Sequence, residues 1–189
     1  MISKWDRYWR DRGDAGLLVA PVEEGFAYPG ITLPHNQYLA LANAMIWLYH
    51  ITGKQAYRDK AARMGRFFKS CLRLVNDHYE WNYWDPAGDW DAAWNKPGRR
   101  HPEDTSHGSL DISFVVDAAQ AGIVFDHRDL NRFANTLLKV MWNGSMTNPT
   151  IGGYVNTNRP TSRSTNLQDW VRLSCVQAVS YTPLRAHET

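Results

Sequence analysis

From Tyr38 onward the apolar residues fall at Leu41, Met45, Leu48 and Tyr49, the spacing of an α-helix. Leu39, Ala42 and Ile46 make the opposite side apolar too, and no acidic or basic residue stands between Asn36 and Tyr49. A helix apolar all round is buried on every side; this one starts near Asn36 and closes at Gly53, a natural C′ residue. Residues 55–75 read differently. Tyr57, Ala61, Met64, Phe68, Cys71 and Leu72 form one stripe, and Arg58, Asp59, Lys60, Arg63, Arg66, Lys69 and Arg73 cover the other side, which predicts a surface helix with one wet face. The same order recurs downstream. Ser109 to Ile123 is nearly all apolar; Asp126 then offers an N-cap to a stripe of Leu130, Phe133, Ala134, Leu137, Leu138 and Met141. Gly53 and Gly122 are 69 residues apart, as are Leu41 and Leu110, so an inner-then-outer hairpin repeats at about 70 residues. A third inner helix is expected to open near Leu167.

Residues 1–34 mix Trp5, Tyr8, Trp9, Phe26 and Tyr28 with glycines and prolines and read as an irregular, partly helical packed lead-in. Two long segments, 76–106 and 144–165, interrupt the hairpins at the same place in the repeat and are expected at one end of the array. The final SYTPLRAHET (180–189) breaks the helical pattern at Pro183 and reads as translated adapter sequence. The natural chain is therefore expected to continue beyond about Val179, with 1–179 as one domain. The fold class predicted is all-α, antiparallel helical hairpins stacked side by side with their long loops at one end.

Leu33-Pro-His-Asn-Gln-Tyr-Leu-Ala-Leu-Ala-Asn-Ala, Trp47-Leu-Tyr-His-Ile-Thr-Gly and Phe67-Phe-Lys-Ser resemble the inner and outer helices of six-hairpin (α/α) toroid carbohydrate-active enzymes. Tyr79-Glu-Trp-Asn-Tyr-Trp-Asp-Pro and Glu103-Asp-Thr-Ser-His-Gly resemble cleft segments of bacterial toroid proteins near polysaccharide lyases and glucuronyl C5-epimerases. The resemblance spans about residues 33–175 and implies a partial toroid, two hairpins and the start of a third out of about six, inactive when isolated.

Composition narrows the partners. Twenty-one Lys and Arg against nineteen Asp and Glu leave a net charge of +2, so no bulk field draws nucleic acid or an anionic membrane. No apolar run reaches the roughly 18–20 residues a membrane helix needs. Mean hydropathy is −0.51. Two cysteines are too few for a disulfide framework. Aromatic residues, by contrast, make up 13% of the chain and include nine Trp. Trp81, Tyr83, Trp84, Trp90 and Trp94 crowd into fourteen residues with Asn82, Asp85, Asp89 and Asp91 between them. Flat rings receive sugar C–H faces and the polar residues bond hydroxyls; alternatively, the aromatics fasten the loop to the body.

Glu103-Asp104-Thr105-Ser106-His107-Gly108 falls just before a buried inner helix, where its side chains project into the cleft. A histidine in that place, His107, can move protons, with Asp104 and Glu103 to orient it or hold a sugar; a plain cap by Thr105 or Ser106 is the structural alternative. His35, Asn36 and Gln37 occupy the equivalent place one repeat earlier and either face the same substrate or cap through Asn36. Arg99 and Arg100, with His101, either suit a carboxylate such as a uronate or are solvated loop charges, the commoner case. Asp111, one turn beyond His107, is placed to contact it, and Tyr154 and Arg163 are weaker candidates. Catalysis is therefore expected from His107, Tyr83, Asp104 and Asp85, and substrate binding from His35, Asn36, Gln37, Trp81, Asn82, Trp84, Trp90, Trp94, Arg99, Arg100 and Glu103. The partner is a polysaccharide or oligosaccharide.

Three functions stay open: lyase or C5-epimerase chemistry with His107 or Tyr83 as base, inverting hydrolysis by Asp85 and Asp104, and a helical scaffold or glycan-binding module without catalysis. No cofactor is predicted. No CxxC, HExxH, GxSxG, Walker or GxGxxG motif occurs, and metal binding by His101 and His107 with Glu103 and Asp104 is the lesser alternative.

Overall fold

A computed structural model describes residues 2–23, 28–95, 100–161 and 166–174. Its four helices lie where the periodicity places them. α1 (His35–Thr52) and α2 (Gln55–Cys71) form one hairpin, and α3 (Thr105–Gln120) and α4 (His127–Asn135) a second. Gly53 (φ 67°) and Gly122 (φ 64°) end the first helix of each hairpin in the left-handed region that a side chain disfavours. α4 runs on into a π-helical turn, Thr136–Met141.

α1 and α3 lie side by side with their starts at the same end. The side-chain amide of Asn43 donates to the Ser113 hydroxyl at 3.3 Å, two positions 70 residues apart in chain order. The core is continuous across both hairpins. Tyr38, Met45 and Ile46 of α1, Met64, Phe67 and Phe68 of α2, Phe114 and Val115 of α3 and Phe133 of α4 are all buried. Phe68 stacks on Phe133 at 6.4 Å.

Two expectations are corrected. The described residues are 50% helical and 14% strand, with two small antiparallel sheets, so the fold is mixed α/β and not the all-α partial (α/α) toroid expected. The lead-in holds a 3-10 helix (Ile2–Tyr8) and a hairpin of β1 (Trp9–Arg12) with β2 (Ala15–Leu18), turning at Gly13 (φ 59°). A second hairpin, β3 (Arg73–Val75) with β4 (His78–Glu80), turns at Asn76 (φ 53°) and takes the end of the segment predicted as the 55–75 helix. The first hairpin packs on α2. Leu17 and Leu18 bury their side chains, while Arg63 donates to the carbonyls of Gly13 and Ala15 and Arg66 to that of Asp14. Part of the face predicted to be wet is thus the platform for a sheet. Conversely, α1 is not buried all round: Ala40, Ala44, Trp47 and Ile51 form an exposed stripe.

At the far end, Trp170–Leu173 form a 3-10 turn, and the later part of the segment expected to form a third inner helix lies outside the described residues. Residues 175–189, including the adapter-like tail, lie outside the described residues, as do Arg99 and Arg163.

Candidate functional site

The site forms where the two inner helices begin. Residues 81–83 run antiparallel to 101–103: Tyr83 N–H donates to the His101 carbonyl at 3.0 Å and Glu103 N–H to the Trp81 carbonyl at 3.0 Å. His35 N–H, at the start of α1, donates to the Tyr83 carbonyl at 3.2 Å. The second long segment closes the other side. Thr105 N–H donates to the Gly153 carbonyl and Val155 N–H to that of Glu103, each at 3.0 Å. Both long segments therefore meet at one end of the helices, as expected.

Asp104, rather than Thr105 or Ser106, is the N-cap of α3. Its Oδ1 accepts from the backbone N–H of Ser106 and of His107, each at 2.9 Å. Its Oδ2 lies 2.7 Å from His107 Nδ1. One carboxylate thus fixes both the helix start and the imidazole. With the proton on Nδ1 facing the carboxylate, the lone pair of the neutral ring is on Nε2. The His107 side chain is 44% exposed and that of Asp104 8%.

The Tyr83 ring lies 5.2 Å from the His107 ring and stacks on His101 at 5.2 Å. The Tyr83 hydroxyl hydrogen-bonds Gln37, which stands exposed in the first turn of α1. Burial, followed by the carboxyls of Glu103, Asp104 and Asp111, raises the phenol above its ordinary value. Tyr83 therefore keeps its proton at neutral pH and is suited to donate one, not to act as the base.

Beneath this pair is a carboxyl couple. Glu103 and Asp111 are fully buried and face each other. Glu103 Oε1 accepts from Asp104 N–H and Asp111 Oδ2 from Trp81 Nε1–H, each at 2.9 Å. Glu103 Oε2 and Asp111 Oδ1 have no hydrogen-bond partner, a lack that one proton shared between the two side chains would satisfy. Burial drives both acids up, Glu103 far above the carboxylate range and Asp111 to about 7. Asp111 thus supports Glu103 and Trp81 and does not contact His107 as expected. Gly108 permits this packing, since a Cβ there would stand 3.2 Å from Trp170 and 3.4 Å from the Glu103 side chain.

The donor atoms of Glu103, Asp104 and His107 lie within 4.8 Å of one another. Each nevertheless has protein work already: Asp104 caps and holds His107, and Glu103 binds backbone and Asp111. The set suits proton transfer better than a cation.

The remaining predicted residues separate by burial. Trp81 and Trp84 are buried, with their indole N–H groups given to Asp111 and to the Thr32 carbonyl (2.8 Å), so their faces are closed to a sugar and they fasten the loop. Trp90 reaches the surface while donating to Thr32 Oγ1, and half-buried Trp94 meets Tyr28 edge-on. Arg100 is exposed and donates to Asn95 at 2.8 Å. Asn36 is buried, and its Oδ1 has no partner. His35, expected to bind substrate, is buried; its Nδ1 lies 2.6 Å from the Tyr38 hydroxyl and its Nε2 3.2 Å from Asp85 Oδ2. Asn82 donates to the other Asp85 oxygen at 3.0 Å.

Asp91, expected with its neighbours to bond sugar hydroxyls, is instead fully buried, a role that sequence reading missed. It accepts from Thr32 N–H and Thr32 Oγ1 and from the backbone N–H of Ala87 and Gly88, folding the aromatic loop around one carboxylate. Its position after a glycine in a Gly-Asp-Trp-Asp turn is the only signal it gives. It also missed Cys71, which lies beside His35 and Asp85; burial raises its thiol to about 12, so it is no thiolate nucleophile. No family model matches this chain, and no curated protein or solved structure matches it.

Proposed function

We propose that this chain belongs to a polysaccharide-processing enzyme that removes the proton α to the carboxylate of a uronate residue. The observation that supports this reading is His107 held through Nδ1 by Asp104, with Nε2 available, against the ring of a protonated Tyr83. Nε2 takes the C5 proton, and the electron pair moves into an enolate-like carboxylate. In elimination, that pair forms the C4–C5 double bond as the glycosidic C4–O bond breaks, and the Tyr83 hydroxyl protonates the departing oxygen. In epimerisation, a proton returns to C5 from the opposite face and no bond to oxygen breaks. Gln37, beside Tyr83, and Arg100, near His101, are donors for the substrate carboxylate.

Inverting hydrolysis finds less support, because its two carboxylates, Asp85 and Asp104, are each engaged with a histidine. Incubation of the protein with uronate polymers separates the outcomes. Elimination gives ultraviolet absorbance from the unsaturated acid together with new reducing ends. Epimerisation gives solvent-deuterium incorporation at C5 without either. Reducing ends without absorbance or exchange would reject proton abstraction, and binding without turnover would leave a glycan-binding module.

A further inference from the structure

His35, Cys71 and Asp85 come from three separate places: the first residue of α1, the last of α2 and the middle of the aromatic loop. Their donor atoms, an imidazole nitrogen, a sulfur and a carboxylate oxygen, all lie within 4.8 Å of one another. From these positions we infer a transition-metal site, of the class that takes Zn²⁺, formed by His35 Nε2, Cys71 Sγ and Asp85 Oδ2. The inference concerns a second location and does not depend on the proposed proton abstraction.

Four observations carry it. The donor set is chemically mixed in the way borderline-soft cations favour, and it is neither a group of acids nor a cysteine alone. Geometry fits next. Bonds of about 2.0–2.3 Å in a tetrahedron separate ligand atoms by about 3.3–3.7 Å; His35 Nε2 and Asp85 Oδ2 are already 3.2 Å apart, and the sulfur needs to close by at most about 1 Å. Third, the ligands are oriented from behind, as metal ligands usually are. The Tyr38 hydroxyl lies on His35 Nδ1 at 2.6 Å, so when it accepts that ring proton the Nε2 lone pair faces inward, and Asn82 Nδ2 holds the spare oxygen of Asp85. Fourth, a cavity of about 40 Å³ lined by Cys71, Arg73, Glu80 and Asn82 gives a path to the sulfur side of the cluster. Charge also closes: a divalent cation with one thiolate, one carboxylate and a neutral imidazole leaves no net charge in a site where the His35 side chain is 1% and the Asp85 side chain 13% exposed. Coordination would expel the thiol proton to solvent.

Co²⁺ is the spectroscopic probe and Zn²⁺ the competitor. Titrating the apo protein with Co²⁺ is expected to give one equivalent of tetrahedral visible bands and a near-ultraviolet thiolate-to-cobalt band, both abolished by Zn²⁺. Zn²⁺ should raise Tm, with chelator reversing the rise. Cys71→Ser is expected to lose the thiolate band and at least tenfold in affinity, whereas Cys175→Ser keeps both. Tyr38→Phe keeps the band and weakens binding roughly 10–100-fold. Folded wild-type protein that gives no thiolate band, or a band that survives in Cys71→Ser, overturns the site and leaves a plain histidine–aspartate hydrogen bond. The wild-type titration decides this even where a variant fails to fold.

Discussion

His35 and His107 stand near the starts of the two inner helices, 72 residues apart, and each faces an aspartate. There the likeness ends. His107 takes its aspartate from the turn before it, and the pair sits at an open mouth beside a tyrosine hydroxyl. His35 takes its aspartate from a loop 50 residues away, and that pair is buried under Tyr38, Phe67 and Phe68. Under the proposed function the same two residue types handle a proton where water can reach them, and where it cannot they form a buried junction or the inferred metal site. Burial, not residue identity, decides which.

The most direct way to break this contrast is His107→Gln. Product formation from uronate polymers is expected to fall about 10²–10⁴-fold, with stability in urea changed by no more than about 0.5 kcal/mol because the ring is half exposed. His35→Ala should do the reverse. It leaves Asp85 and the Tyr38 hydroxyl without their partner and opens a void, and urea unfolding should register a loss of about 2–4 kcal/mol. Should His35→Ala prove as stable as wild type, the distinction between the pairs fails.

Asp104 sharpens the contrast, because it both caps and orients. Asp104→Asn retains the cap and loses the charge on the imidazole, so turnover falls while stability holds; Asp104→Ala loses both, at a further cost of about 1 kcal/mol in unfolding free energy. The last test is a slope with pH. Glu103 and Asp111 titrate above their unfolded values, so folding takes up protons there. Their stabilising contribution is full below about pH 4, the unfolded carboxylate range, and is lost as pH rises through about 7. Asp111→Asn, whose amide can donate to Glu103, should flatten the decline in stability between pH 4 and 7 measured by denaturant melts.

The helices were legible because each carries at least two turns of 3.6-residue periodicity, and α1 and α3 also carry a glycine stop. The 70-residue offset read from Gly53 and Gly122 recurs physically as the Asn43–Ser113 bond. The strands were not. Three or four residues are too few for alternation to stand out, and only the Gly13-Asp14 and Asn76-Asp77 turns signalled hairpins. They persist because α2 and the core receive Leu17, Leu18 and Tyr79. Asp104 and His107 were legible as local residues at a helix start. The meeting of His35, Cys71 and Asp85 was not, because it depends on a loop returning to the end of a different helix. Nor does an aromatic loop declare which of its rings face inward: Trp81 and Trp84 have the composition of a sugar platform and the burial of a core.

The Asp91 knot has a thermodynamic consequence for anything that binds at this mouth. Four donors from two stretches of chain, Thr32 and Ala87–Gly88, converge on one carboxylate, so residues 87–91 arrive already shaped. A loop held this way has little conformational entropy left to lose when something docks on it, and Asp91→Ala is expected to return that entropy without removing an exposed side chain.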